Sequence, residues 1–346
     1  MINNEAKRHH YIPQFILKKF IDKDGKNVQY WNIKKQVLEK RNTKSVFMNI
    51  DMYRDEINHG DNPTSIENTL SIFEGEIADL INKKFIDENE IKITRKELEK
   101  LRIFLSLLSF RSDYRMNQYK DKKFTESTKS ILVNYSEGND FMDLWKREIE
   151  ELAKIRNYDE LDKNTTIDPI IKTDFEMDLK GFFMTVIDAR GGEFLISDIY
   201  PTLEVFPLIN GVNIHLHCLF PISPNRMLLL NHIMFKSDKS KIDSDSVIKQ
   251  MVELSKIKGN MIVQPKVKYV LEGTVNPNDV FTYKPKKIYG SDVEYLNALA
   301  LNEAKNGIVF SNSSKIMNSI IHYDERNDIK NNYNELEKKI KEQGGQ

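Results

Sequence analysis

A single cysteine, Cys218, stands among 346 residues, and it lies in an apolar run. No internal disulfide can form, and a reducing compartment suits such a chain best. Net charge is missing too. The 52 Lys and Arg residues balance 52 Asp and Glu, which removes the bulk-charge argument for a nucleic-acid or membrane binder but leaves room for a local basic patch. No uncharged stretch approaches the roughly 20 residues that span a bilayer. Met1 to Arg8 are polar and lack the apolar segment of a secretion signal. The expected location is the cytoplasm, with no membrane partner. No glycine-rich phosphate loop follows a strand pattern and no nucleophile elbow is present, so nucleotide-driven chemistry and serine hydrolysis are not expected.

Core material is plentiful, at 40% hydrophobic and 10% aromatic residues, and wholesale disorder is not expected. Thr64-Ser65-Ile66-Glu67 and Thr94-Arg95-Lys96-Glu97 both read as capping boxes, in which the hydroxyl takes an orphan amide and the glutamate reaches back. Behind the first, Ile66, Leu70, Phe73, Ile77, Leu80 and Ile81 recur at helical spacing; behind the second, Leu98, Leu101, Leu105 and Leu108 do. Tyr119 to Thr166 is charged, and Phe141, Leu144, Trp145, Ile149 and Leu152 mark a solvated amphipathic helix within it.

From Phe182 the period changes. Phe182 to Ala189 and Glu193 to Asp198 read as two strands around Arg190-Gly191-Gly192, and Ile214 to Phe220 with Arg226 to Phe235 as a second pair. Ser244 to Lys258 and Asp292 to Lys305 are expected helices. The fold class is therefore α+β: a helical first half packed against an antiparallel β-sheet formed mainly by the second half, with the N-terminal motif docking on the sheet. One globular unit is expected over 1–320, comprising the motif and short strands (1–62), a mainly helical part (63–180) and the sheet with flanking helices (181–320). A charged C-terminal helix over 321–346 follows, and its stripe of Ile329, Tyr333, Leu336 and Ile340 offers a surface for a protein partner.

The most distinctive stretch is Arg8-His9-His10-Tyr11-Ile12-Pro13-Gln14-Phe15-Ile16-Leu17. Pro13 pushes Ile12 out of the helical region, so the histidines sit on an extended lead-in where neighbours point to opposite sides. His9 to Phe15, followed by Leu17 and Phe20, resembles the opening of the bacterial family catalogued as domain of unknown function 4238. Phe104 to Arg111, Phe194-Leu195-Ile196-Ser197-Asp198 with Pro201, Phe220-Pro221-Ile222-Ser223-Pro224, and Leu296 to Phe310 with Asn302 resemble it in the same order. The family's Ser-Asp-x-Pro turn is lengthened here, because Ile199-Tyr200 separates Asp198 from Pro201. The resemblance covers nearly the whole chain and implies one shared architecture; it transfers no activity. The His-His-x-x-Pro pattern also resembles the first element of HNH nucleases, but the asparagine and closing histidine of that module have no match downstream.

The chemistry must come from side chains. His9 and His10 titrate near neutrality and are candidates for an acid–base role, against the blander reading of one packed and one solvent-facing ring. Arg111 continues the leucine stripe, and a lone buried charge is costly, so it needs an anionic partner. It is the candidate oxyanion or phosphate clamp, with Asp198 and the carbonyls near Pro13 as expected acceptors. Asp198 and Glu74 are the candidate orienting carboxylates, and Arg8, Gln14 and Ser197 the candidate substrate contacts. His215 and His217 share a strand face at a spacing that can chelate a transition metal, but their apolar setting favours polar residues turned outward. No metal ligand is assigned, and a divalent cofactor is left open. The expected function is hydrolysis of nucleic acid by a histidine, arginine and carboxylate site. The alternative is a non-catalytic recognition or protein-interaction module.

Overall fold

Why do the second-half strands read as near-continuous apolar runs? Strands β6 (Phe182–Arg190), β8 (Thr202–Pro207), β9 (Asn213–Ser223), β10 (Arg226–His232) and β13 (Lys286–Tyr289) form one sheet in the order β13-β6-β10-β9-β8. All its pairs are antiparallel except β13 with β6. Along β10, Leu228 and Leu230 enter one core while Met227 and Leu229 enter another; on β6, Met184 and Val186 divide likewise from Ile187 and Ala189. Both faces are covered, so no polar face alternates with an apolar one.

The computed structural model describes residues 8–23, 25–56, 58–135, 140–207, 213–232, 266–267, 278–324 and 333–344. The expected helix from Ser244 to Lys258 lies outside them. One face of the sheet shares its core with helices α2 (Ser65–Lys84), α3 (Arg95–Phe110), α6 (Phe141–Lys154) and α8 (Pro169–Gly181). The other is covered by α9 (Ser291–Glu303) through Val293, Tyr295 and Leu296. The fold is α+β, with the helical first half packed on the antiparallel sheet.

Local signals were honoured unevenly. At α3 the capping box forms: Thr94 Oγ1 accepts from the Glu97 amide at 3.3 Å and Glu97 Oε2 from the Thr94 amide at 2.8 Å. At α2 it does not. Thr64 sits at φ −104°, ψ 14°, away from the extended conformation that swings a hydroxyl over the first turn, and makes no cap bond. Tyr119 to Thr166 divides among α4 (Asp113–Lys120), α5 (Glu126–Tyr135), α6 and α7 (Tyr158–Lys163). Far from being solvated, α6 buries Trp145 and even Glu148 at 0% exposure.

The expected hairpin at Gly191-Gly192 is also corrected. Strand β7 (Ile196–Ser197) does not return to β6 but joins β14 (Gly307–Phe310) in a second sheet, β3-β2-β14-β7, with β2 (Val28–Asn32) and β3 (Val37–Arg41). Asn297 on α9 explains the departure. Its Oδ1 accepts from the Leu195 amide at 3.1 Å and its Nδ2 donates to the Glu193 carbonyl at 2.7 Å, so α9 claims the backbone that would have paired with β6. This second sheet packs Trp31, Ile308 and Phe310 against α9, α10 (Ser313–Asp324) and α11 (Asn334–Gly344). Tyr333, Leu336 and Ile340 are buried there, and Tyr333 donates to the Leu301 carbonyl at 2.8 Å. These three residues of the terminal stripe face inward, and Ile329 lies outside the described residues.

At the amino end, β1 (Arg8–His10) pairs with β4 (Met48–Ile50), and α1 (Gln14–Leu17) follows Pro13. Tyr11, Ile12, Ile16, Leu17 and Phe20 enter the core that the helices share with the large sheet. A small sheet of β11 (Lys266–Val267), β12 (Val280–Tyr283) and β5 (Ile91–Thr94) completes the described strands. Among the described residues no helix is long and apolar enough to cross a membrane.

Candidate functional site

The two histidines do part company, as an extended segment requires. His9 pairs in register with Asn49 and is buried at 1% exposure. Its Nδ1 accepts from the Tyr53 amide at 2.8 Å, which places the ring proton of the neutral form on Nε2. The ring stacks on Tyr53 at 5.5 Å, Tyr53 stacks on Trp145 at 5.9 Å, and the Tyr53 hydroxyl donates to the Arg111 carbonyl at 3.1 Å. His9 is thus the inner ring, tied to the backbone of the turn that follows β4.

His10 is the outer ring and only half buried. Gln14, one turn into α1, places Nε2 3.0 Å from the His10 ring nitrogens and donates to the Thr43 carbonyl at 2.8 Å. Burial lowers the pKa of His10; the carbonyls of Val46 and Phe47 oppose this, and the charges of Arg111 and Arg8 add to it. The net result is an imidazole that stays neutral further into acid than a free one. Arg8 itself is exposed beside it.

Arg111 sits at the joint where α3 ends and Ser112 caps α4. It is wholly buried, at 0% exposure. Its Nη2 donates to Glu74 Oε1 at 2.5 Å and approaches the His10 carbonyl at 3.5 Å. One guanidinium therefore joins α2, the α3–α4 joint and β1. Burial works against its charge, and Glu74, Tyr53 and Glu67 together more than compensate, leaving the pKa above its ordinary value. Nε and Nη1 have no hydrogen-bond partner among the described residues. Glu74 keeps 23% side-chain exposure, so water reaches the pair from that side alone.

Asp198, expected as the acceptor for Arg111, is elsewhere. Its two oxygens accept from the Lys305, Asn306 and Gly307 amides at 2.9, 3.0 and 3.3 Å and from Asn306 Nδ2 at 2.7 Å. Four donors fill the carboxylate, which fixes the turn before β14. Ser197 is buried and its hydroxyl donates to the Ile199 carbonyl at 2.8 Å, closing the turn that follows β7. His217 is fully buried, its Nδ1 2.8 Å from Glu204 Oε2, while Tyr295 donates to Glu204 Oε1 at 2.8 Å. The structure brings together His10, Gln14, Glu74 and Arg111, with His9 behind them and Arg8 on the rim. It leaves Asp198, Ser197 and the His215–His217 pair out. Among the described residues no group of three or more His, Cys, Asp or Glu could hold a metal ion.

Four residues of this neighbourhood escaped sequence reasoning. Tyr53 carries no motif. Asn49 donates to Asp113 at 2.5 Å, and Asn117 Nδ2 donates to Asp113 Oδ2 at 3.1 Å. Ser112-Asp113, a cap followed by a first-turn acid, was the readable signal for that corner. Past it, the surface along α4 is hollow. A cavity of about 300 Å³ lies among α3, α4, α5 and α8, and one of about 150 Å³ lies at Asp113, Asn117, Asp198 and Lys305; Gln118 and Lys123 line both.

Fold and site together define an α+β protein centred on a buried arginine–glutamate pair behind a half-open histidine. The chain belongs to the family described as protein of unknown function (DUF4238), which matches residues 8–314. No curated protein and no solved structure matches it.

Proposed function

We propose that the chain is a phosphodiester hydrolase acting on nucleic acid, with His10 as its general base. The observation that carries this reading is the placement of a half-open imidazole of lowered basicity beside a buried guanidinium that ties Glu74 to the His10 backbone. A base must be unprotonated at working pH, and an arginine beside it favours the charge that develops on a phosphorane. His10 takes the proton of the attacking water. Arg111, out of solvent, acts as a positioning residue that fixes Glu74 and β1 and lends its field to the site. Glu74 orients the water, and it is the carboxylate that would take a divalent cation shared with the substrate phosphate. Arg8 and Gln14 meet the backbone phosphates.

The test is incubation of the purified protein with single-stranded RNA and DNA, with and without Mg²⁺ or Mn²⁺, followed on denaturing gels. The parent is expected to cleave, and His10→Ala to lose cleavage while keeping its circular dichroism spectrum and melting temperature. A second reading has its own support, since His9, Asp198 and Ser197 are all engaged in holding backbone. It makes the motif a structural centre in a recognition module, and no cleavage under any condition would establish it over the first.

A further inference from the structure

We propose that the hollow between α3, α4, α5 and α8 binds a nucleoside monophosphate, either free or as one residue of a single-stranded nucleic acid. This names the substrate contact of the nucleic-acid reading above and rests on it. The hollow measures about 300 Å³, at the small end of ligand pockets (roughly 300–1,000 Å³) and the size of one nucleotide rather than of a large cofactor.

One wall is aromatic. Phe110 and Tyr119 meet edge-to-face at 6.0 Å, and Tyr119 and Phe124 at 4.9 Å. Phe110 and Phe124 are only half buried, so ring surface stays open to the hollow. Open rings in a concave site accept any base by stacking, because every base has a π face. A cation lines the same hollow, one turn before Tyr119 on α4. Arg115 donates to Gln118 Oε1 at 2.9 Å, a neutral acceptor, and has no ion-pair partner among the described residues. Its charge is felt by Asp174 on the same lining and by His215 outside it. Burial raises the pKa of Asp174 and Arg115 opposes it; burial lowers the pKa of His215 and Arg115 adds to it. A guanidinium without an ion-pair partner among the described residues, lining the same hollow as open ring surface, suits a planar molecule carrying phosphate, which can engage the fork bidentately.

The hollow also has a continuation. Past Gln118 and Lys123 it meets the smaller cavity, where Lys305 lies 4.9 Å over the ring of Tyr114. A ring of the same helix with a cation beside it is what a neighbouring nucleotide of a strand would meet.

The test is calorimetric titration of the full chain with 5′-AMP, 5′-UMP, adenosine, and single-stranded RNA and DNA hexamers. Both mononucleotides should bind, and adenosine, lacking the phosphate, about tenfold more weakly. Arg115→Ala should erase the difference between AMP and adenosine. Ser109→Phe, which fills the hollow from α3 without touching a charge, should abolish binding of both at unchanged melting temperature. A hexamer that binds more tightly than AMP identifies a strand as the ligand; equal binding identifies the free nucleotide. His10→Ala should bind like the parent while failing to cleave; a parent protein that binds without cleaving would overturn the hydrolase reading and leave this site standing. No mononucleotide binding at millimolar concentration, or Arg115→Ala binding AMP as the parent does, overturns the proposal.

Discussion

At the scale of single residues, Arg111 and Glu74 are not symmetric partners. Glu74→Gln strands a guanidinium at 0% exposure without its carboxylate, a loss on the order of 3 kcal/mol or more. Arg111→Leu removes the buried charge and leaves a carboxylate with 23% exposure that water can solvate. In denaturant melts Glu74→Gln should therefore be the less stable of the two, and parent-like melting of both would show the pair to be incidental. Glu148 gives a second residue-scale prediction. Burial raises its pKa to about 7, against the Asp168 amide and Arg147, which favour the ion. A raised folded-state pKa contributes stability below the unfolded value of 4.5 that is lost as pH rises to about 7. Glu148→Gln removes that loss. It should melt like the parent near pH 4, and above pH 7 it should be more stable by about 3 kcal/mol; a difference that does not change with pH would contradict the assignment. The burial of Arg111 was legible because its stripe spacing put it on a core face. Its partner was not legible, since Glu74 and Asp198 are equally acidic on paper. Only the fold shows that the 305–307 backbone already fills Asp198.

At the scale of elements, the two threonine caps make a matched pair. Both sequences carry the same box, yet Thr94 is extended at φ −72°, ψ 161° and caps its helix, while Thr64 is not extended and gives its hydroxyl to Asn62 Oδ1 at 3.2 Å. Thr94→Ala should lose about 1 kcal/mol of stability, and Thr64→Ala should lose little in the same urea titration. Equal losses would mean that the difference in cap geometry has no energetic weight. The pattern predicts a cap correctly where the backbone before it is free to extend. Before Thr64 the turn is held otherwise, with the Ser65 amide bonded to the Asn62 carbonyl at 3.0 Å. The hairpin expected at Gly191-Gly192 failed for a related reason. A glycine turn records that the chain bends, and Asn297, more than 100 residues on, decides what the chain meets afterwards.

At the scale of the whole molecule, the class was readable because it rests on period, and period survives without knowledge of partners. Helical stripes ran through residues 63–180 and strand runs through 181–232, and the structure sets them face to face. The inward turn of the terminal helix was not readable, because an amphipathic stripe of three or four residues looks the same whether its cover is α10 or another protein. The site was half legible: His10, Gln14, Glu74 and Arg111 do assemble, whereas Asp198 and Ser197 serve the second sheet.

The claim that His10 is the working base is tested most directly by the pH dependence of RNA cleavage in parent and His10→Ala proteins at low substrate. The account predicts an acid limb in kcat/KM with an apparent pKa below 6.5, the direction that burial and Arg111 impose on His10. It predicts the disappearance of that limb together with most of the activity in the variant, whose melting temperature stays near that of the parent. A variant that cleaves with the same limb, or a parent that does not cleave at any pH, would contradict it.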